Sequence, residues 1–276
     1  MEKNLKLFPR HGEIVLYKQG FGKDDLLSRR SAGQRLSELL ERVDDPIVVA
    51  LDGAWGSGKT HFLRRWVGAH TVENEGSATT VYFDAFSSDF LDDPLISLVS
   101  AIDVRLPEKK PDDAWVRTKT AAAKLARPFL RIGAAVATAG ATEVAGPLLD
   151  AIIVAGGKEV EKATDSFWQQ EQGRRTAVEQ FRSALLQLTT APNSDGPGRP
   201  LIIVIDELDR CRPDYALSVL EVVKHFFSVP GVHFVLGCNL DALEHMVRVR
   251  YGSSVNASAY LKERLINGFG FAGTAA

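Results

Sequence analysis

The sequence predicts an α/β domain in which a mostly parallel sheet is flanked by helices. Three observations lead there. Two short runs, Ile47 to Leu51 and Leu201 to Ile205, are continuously apolar, as strands buried on both faces are. Stretches with apolar residues at helical spacing lie between such runs. A glycine-rich turn stands directly between the first run and the helical pattern that follows it.

In chain order, Leu26, Leu27, Leu36, Leu39, Leu40 and Val43 recur at helical spacing, which predicts a helix over Asp24 to Val43. Asp44-Asp45-Pro46 ends it, because proline restricts the residue before it. Ile47 to Leu51 is the first strand, Asp52 to Thr60 the turn, and His61 to Val67 a helix packing Phe62, Leu63 and Trp66. Thr79 to Phe83 reads as a second strand running into Asp84-Ala85-Phe86-Ser87, and Asp93-Pro94 opens a helix over Leu95 to Val104. Val178, Phe181, Leu185 and Leu188 mark an amphipathic helix, and Asn193 to Gly198 is a loop by composition. Leu201 to Ile205, a helix over Asp214 to Phe227, a strand over Val232 to Gly237 and a helix over Leu240 to Val249 complete the pattern.

A chain of 276 residues can bury a sizeable core. Its net charge of -2 gives no global attraction to nucleic acid or to an anionic membrane, and no basic or aromatic stripe marks nucleic-acid contact. Two cysteines, Cys211 and Cys238, are too few for a disulfide framework and read as reduced packing residues, which fits a cytoplasmic setting. The first residues lack the apolar core of a signal peptide. The segment 129–157 is rich in Ala, Gly and Val, but Arg131, Glu143 and Asp150 interrupt it. It reads as a buried or partner-facing helical hairpin, with membrane contact the less favoured option.

The run Gly53-Ala54-Trp55-Gly56-Ser57-Gly58-Lys59-Thr60 matches G-x-x-x-x-G-K-[ST]. Glycines let the backbone turn tightly and approach an anion. The turn leaves N–H groups, up to that of His61, directed inward at a helix N-terminus. Lys59 supplies a point charge for the β- and γ-phosphates, and the Thr60 hydroxyl can coordinate Mg²⁺. The expected ligand is a nucleoside triphosphate, ATP with Mg²⁺.

The second half of such a site is a buried strand ending in an acid that holds the metal, a position Asp206 fills. Glu207 then stands where a base could deprotonate the attacking water. Asp209 is either a second candidate base, a solvated charge, or a bond to a neighbouring loop or subunit. Asn239, at the end of the last strand, either senses the γ-phosphate or caps the following helix, with Asp241 competing for both roles. Arg210, Arg212 and Arg264 are candidates for neutralising charge in the transition state, in the same molecule or across an interface. The histidines show no ligand spacing with Cys or acidic partners, so no metal beyond Mg²⁺ is expected.

With these blocks in place the sequence resembles the KAP family of P-loop NTPases, within the STAND-like and AAA-like branch. The resemblance rests on Ile47 to Thr60, on Tyr82-Phe83-Asp84-Ala85-Phe86 with Asp93-Pro94-Leu95, on Ile205-Asp206-Glu207-Leu208-Asp209-Arg210-Cys211-Arg212-Pro213, and on Val229 to Asn239 with Tyr260-Leu261. It implies a P-loop NTPase fold, ATP binding, and slow hydrolysis coupled to conformational change or assembly. It also implies a helical insertion between the two nucleotide motifs. The chain accordingly divides into residues 1–105 as the first part of the core, 106–192 as the insertion and 193–276 as the second part. Phe86 stands where the family's usual residue is Trp, and the chain stops where members continue into a helical lid, so the lid is expected to be missing. Self-assembly is expected because related ATPases often place an arginine across a subunit boundary; a protein partner is implied but not identified. An ATPase switch leads the functional readings, and a nucleotide-holding interaction module that does not turn ATP over is the alternative.

Overall fold

The computed structural model describes residues 14–22, 25, 28–91, 93–105, 179, 181–183, 185–187, 189, 199–226 and 229–265. The four apolar runs are strands: β1 (Val48–Asp52), β2 (Thr79–Asp84), β3 (Leu201–Asp206) and β4 (Val232–Cys238). They form one parallel sheet in the order β1-β4-β3-β2. The register sets Asp84 against Asp206, Asp206 against Gly237, and Asp52 against Cys238, so the polar strand ends share one edge. Every residue of β3 and β4 is buried, which is why these runs do not alternate polar and apolar.

Helices cover both faces. Val49, Ile202, Val204 and Val235 pack against α1 (Arg30–Arg42) and α2 (Lys59–Val72), through Leu36, Leu40, Leu63, Trp66 and Val67. Ile203, Ile205, Phe234 and Leu236, on the opposite face, pack with α4 (Pro94–Arg105), α5 (Pro213–Phe226), α6 (Leu240–Tyr251) and α7 (Ala257–Leu265). A short helix, α3 (Ala85–Ser88), follows β2; Asp84 caps it by accepting from the Ser87 N–H. Phe181 and Leu185, two of the residues in the predicted amphipathic stripe, are buried in this second core, while Val178 and Leu188 lie outside the described residues.

Two helix starts differ from the sequence expectation. The first helix begins at Arg30, not Asp24: Ser28 takes a left-handed φ of 52° and Asp25 accepts hydrogen bonds from the N–H groups of Arg29 and Arg30. A left-handed residue breaks the helical path whatever the apolar spacing around it. The second begins at Lys59, not His61, because the Phe62 N–H already bonds the Gly58 carbonyl. That helix also runs on to Val72, five residues past the expected Val67, and the other described ends agree within one or two residues.

Residues 14–22 lie along α2. The Tyr17 hydroxyl oxygen accepts from the N–H of Tyr82, Arg65 donates to the Gly20 carbonyl, and Phe21 packs on Phe62 at 5.5 Å. Farther along α2, Ser37 accepts from Trp66 Nε1 and Asn74 Nδ2 and faces Nδ1 of the fully buried His70, whose Nε2 lies 3.0 Å from Glu41. The inferred hairpin at 129–157 and most of the inferred insertion lie outside the described residues, as do the last residues, 266–276. Among the described residues no helix is long and apolar enough to cross a membrane.

Candidate functional site

The glycine-rich loop leaves the end of β1, where the Gly53 N–H donates to the Cys238 carbonyl, and closes on itself through Ser57 N–H to the Ala54 carbonyl. Gly58 has φ of 84°, a region open to glycine, and from it α2 starts directly. Lys59 turns its ammonium onto the loop, donating to the carbonyls of Gly53 at 2.5 Å and Ala54 at 3.2 Å. Ser57 Oγ is buried without a hydrogen-bond partner among the described residues. His61 sits exposed in the first turn of α2.

The sheet brings the second motif against this loop. Thr60 Oγ1 donates to Glu207 Oε1 at 3.3 Å, and the same hydroxyl lies beside the Asp206 carboxylate. One hydroxyl proton can serve only one of these carboxylates at a time. Asp206 is fully buried, accepting from the Tyr82 hydroxyl at 2.7 Å and from the Glu207 N–H at 2.9 Å. Burial pushes its carboxyl above the usual range, and the bonds from Tyr82, Thr60 and the Glu207 N–H pull against that. Burial, together with the Asp206 charge, pushes the Tyr82 hydroxyl well up in turn, so it remains a donor. Gly237 is needed on β4 for a different reason: a Cβ there would meet Leu63 and stand 2.6 Å from Asp206 Oδ1.

Glu207 takes a left-handed φ of 59°, uncommon for a residue with a side chain, and pairs with Arg210 at 2.9 Å. Asp209, in the 3-10 turn Leu208–Arg210, is buried and accepts from the indole N–H of Trp55 at 2.6 Å. Of the options open to Asp209, the bond to a neighbouring loop is the one formed. Arg212 is tied to Asp89 through its backbone N–H, its Nε and its terminal nitrogen. Asn239 Oδ1 accepts from the N–H groups of Asp241 and Ala242, so it caps α6, and Asp52 accepts from the Leu240 N–H beside it. Arg264 lies on α7, its side chain outside the described residues. Cys211 and Cys238 are buried free thiols; burial pushes Cys211 up to about 12.

The structure thus gathers Lys59, Thr60, Asp206, Glu207 and Asp209 at one edge. It adds Tyr82, Gly237 and Arg29, which the sequence reading missed. Arg29 donates to the carbonyls of Ser57 at 2.8 Å and Gly58 at 3.2 Å. The missed residues carry no local motif; only the strand register and the turn at Ser28 place them.

The donor set suits a hard divalent cation. Thr60 and Asp206 offer hydroxyl and carboxylate oxygens and no nitrogen or sulfur, the preference of Mg²⁺, which takes few protein ligands when phosphates and water supply the rest. Among the described residues no cluster of three or more His, Cys, Asp and Glu forms a metal cage. The unpartnered Ser57 hydroxyl and the positive φ of Gly56 and Gly58 fit a loop shaped to receive an anion.

Comparison with known proteins agrees with this geometry. The model of the KAP family P-loop domain matches residues 29–267. No curated protein sequence matches the chain. The solved structure of the Aeropyrum pernix ORC2 protein, as ADPNP-ADP complexes, aligns with 86% of this chain and 46% of that one, at 14% identity and a TM-score of 0.38. The chain therefore spans less than half the length of that protein's chain.

Proposed function

The chain belongs to the KAP family of P-loop domains, and from that premise we propose that it binds ATP with Mg²⁺ and hydrolyses the γ-phosphate to switch its conformation or its assembly with a partner. The observation that carries the proposal is the meeting of Thr60 with Asp206 and Glu207, more than 140 residues away in sequence, directly beside the loop that holds Lys59. The N–H groups between Ala54 and His61 that bond no carbonyl receive the phosphates, and Lys59 leaves the Gly53 and Ala54 carbonyls to reach the β- and γ-oxygens. Thr60 directly and Asp206, through water, would hold Mg²⁺, which supplies charge neutralisation on those oxygens.

Glu207 is the base of the proposed reaction. Its carboxylate takes a proton from the attacking water as oxygen bonds to the γ-phosphorus, and the bond to the β,γ-bridging oxygen breaks to release ADP and phosphate. Arg210, half-exposed beside Glu207, is within reach of the same region and is the candidate to offset developing negative charge. Asp209 serves as the anchor for Trp55, holding the loop to the strand end. Asn239 caps α6 with its oxygen, which leaves its amide N–H groups as the end able to face a phosphate.

The nucleotide-holding alternative has one observation in its favour: Thr60 and Arg210 both occupy Glu207, and a base so engaged is slow to act. Turnover of ATP by the purified chain, with and without Mg²⁺ and over a range of protein concentrations, separates the two. Glu207→Gln should bind ATP like the parent and lose turnover. Binding by the parent without turnover would establish the alternative, and turnover rising steeply with concentration would point to an arginine from a second copy.

A further inference from the structure

The arginine just before α1 grips the phosphate loop from behind. Arg29 donates from one terminal nitrogen to the Ser57 carbonyl at 2.8 Å and from the other to the Gly58 carbonyl at 3.2 Å. A Cβ at Gly58 would stand 3.1 Å from the guanidinium, so the contact is close along the backbone. The Gly58 carbonyl uses its second lone pair for the Phe62 N–H, the first bond of α2. Arg29 is itself fixed, since Asp25 accepts from its backbone N–H at 2.9 Å.

A trans peptide unit is planar, with its C=O and N–H directed oppositely. The Ser57 carbonyl shares its plane with the Gly58 N–H, and the Gly58 carbonyl shares its plane with the Lys59 N–H. Holding both carbonyls on the Arg29 side therefore holds those two N–H groups toward the interior of the loop. The buried, unpartnered Ser57 hydroxyl is on that interior side too: a Cβ at Gly53, across the loop, would lie 2.9 Å from it. A permanent cation on the carbonyls also polarises the N–H groups of the same peptide units, strengthening them as donors to an anion.

We propose that Arg29 is a positioning residue of the phosphate site, presetting the Gly58 and Lys59 N–H groups for a nucleotide's phosphates without touching the nucleotide. The proposal rests on the phosphate-loop reading above and adds to it a residue outside the motif. Planarity matters to its chemistry: a guanidinium spans two adjacent carbonyls, whereas an ammonium is a single point charge.

The test is titration of the purified chain with Mg-ATP and with ADP, for the parent, Arg29→Ala and Arg29→Lys. Loss of two charge-assisted bonds that organise the loop should weaken both nucleotides by roughly ten- to a hundredfold in Arg29→Ala. Arg29→Lys should recover only part of that. Guanidinium ion at low millimolar concentration should restore affinity to Arg29→Ala saturably and leave the parent unchanged. Parent-like affinity in Arg29→Ala, or a loss that guanidinium does not reverse, would overturn the proposal. Should Arg29→Ala not fold, Arg29→Lys carries the test: affinity equal to the parent overturns the role, and a several-fold loss at unchanged melting temperature supports it. A parent that binds neither nucleotide would overturn the phosphate-loop reading itself, an outcome distinct from all of these.

Discussion

Replacing Tyr82 by Phe removes one oxygen, and the structure says what that oxygen does. It donates at 2.7 Å to a carboxylate that is fully buried, while the ring that Phe would keep lies under the guanidinium of Arg64, whose carbon is 5.8 Å from the ring centre. A hydrogen bond to a charged acceptor contributes about 1.5–3 kcal/mol net, roughly twice a neutral one. Tyr82 is half-buried, so water can take part of the bond's place and the lower end, about 1.5 kcal/mol, is expected. In an Asp206→Asn background the partner is neutral, and the hydroxyl can turn to accept from the amide, so the same substitution should cost about half as much. Urea denaturation of the parent, both single variants and the double variant closes the cycle. An equal loss in both backgrounds would mean that the hydroxyl acts through packing and that the bond to Asp206 contributes nothing measurable. Mg-ATP affinity should fall in Tyr82→Phe alongside stability, because Asp206 loses the donor that fixes its orientation.

Other expectations are as concrete. Lys59→Ala should abolish triphosphate binding, read by calorimetric titration, while melting near the parent temperature; unchanged affinity would remove the loop from the site. Gly237→Ala places a methyl against Leu63 and Asp206, and overpacking of this kind costs about 1–3 kcal/mol. Its melting temperature and its nucleotide affinity should drop together, and a variant that melts like the parent would contradict the close approach. His70 and His233 are both held below the usual histidine value, first by burial, with the Glu41 charge opposing. The folded state therefore resists protonation that the unfolded chain accepts near pH 6.5, so stability is full above that pH and lost as pH falls through the folded values. The slope can reach about 1.4 kcal/mol per pH unit for each histidine. Urea midpoints flat between pH 7.5 and 5.5 would refute it, and His70→Gln should reduce the slope.

What could be read in the sequence followed from chemistry that is local. A strand buried on both faces must be apolar throughout, so Ile47 to Leu51 and Leu201 to Ile205 stood out, and a tight anion-binding turn needs glycines before Lys59 and Thr60. Parallel order and the placement of Asp206 beside Thr60 followed from those. Tyr82 and Arg29 were not legible because their partners are far along the chain. Tyr82 meets Asp206 only in the β2–β3 register, and Arg29 meets Ser57 only because Ser28 turns the backbone left-handed. The capping role of Asn239 follows from backbone geometry: its extended φ of -99° and ψ of 111° set the side-chain oxygen against the Asp241 and Ala242 N–H groups. Apolar spacing alone overran the first helix, since it cannot register a turn made by Asp25 and Ser28.

The strand order has a consequence for how the chain is made. β1 and β2 are consecutive in sequence yet never touch; β4 and β3 come between them. A ribosome delivers both early strands long before their neighbours exist. At 5–20 residues per second, the roughly 150 residues from the end of β2 to the end of β4 take about 8–30 s to appear. Until β3 and then β4 emerge, the apolar edges of Thr79–Asp84 and Val48–Asp52 lack the strands they pair with among the described residues, the condition in which strands recruit other chains. The nucleotide loop is finished last for the same reason, since the Cys238 carbonyl that anchors Gly53 is the end of the final strand. Yield of folded protein should accordingly respond to translation speed and to chaperone supply far more than to any change within the glycine loop itself.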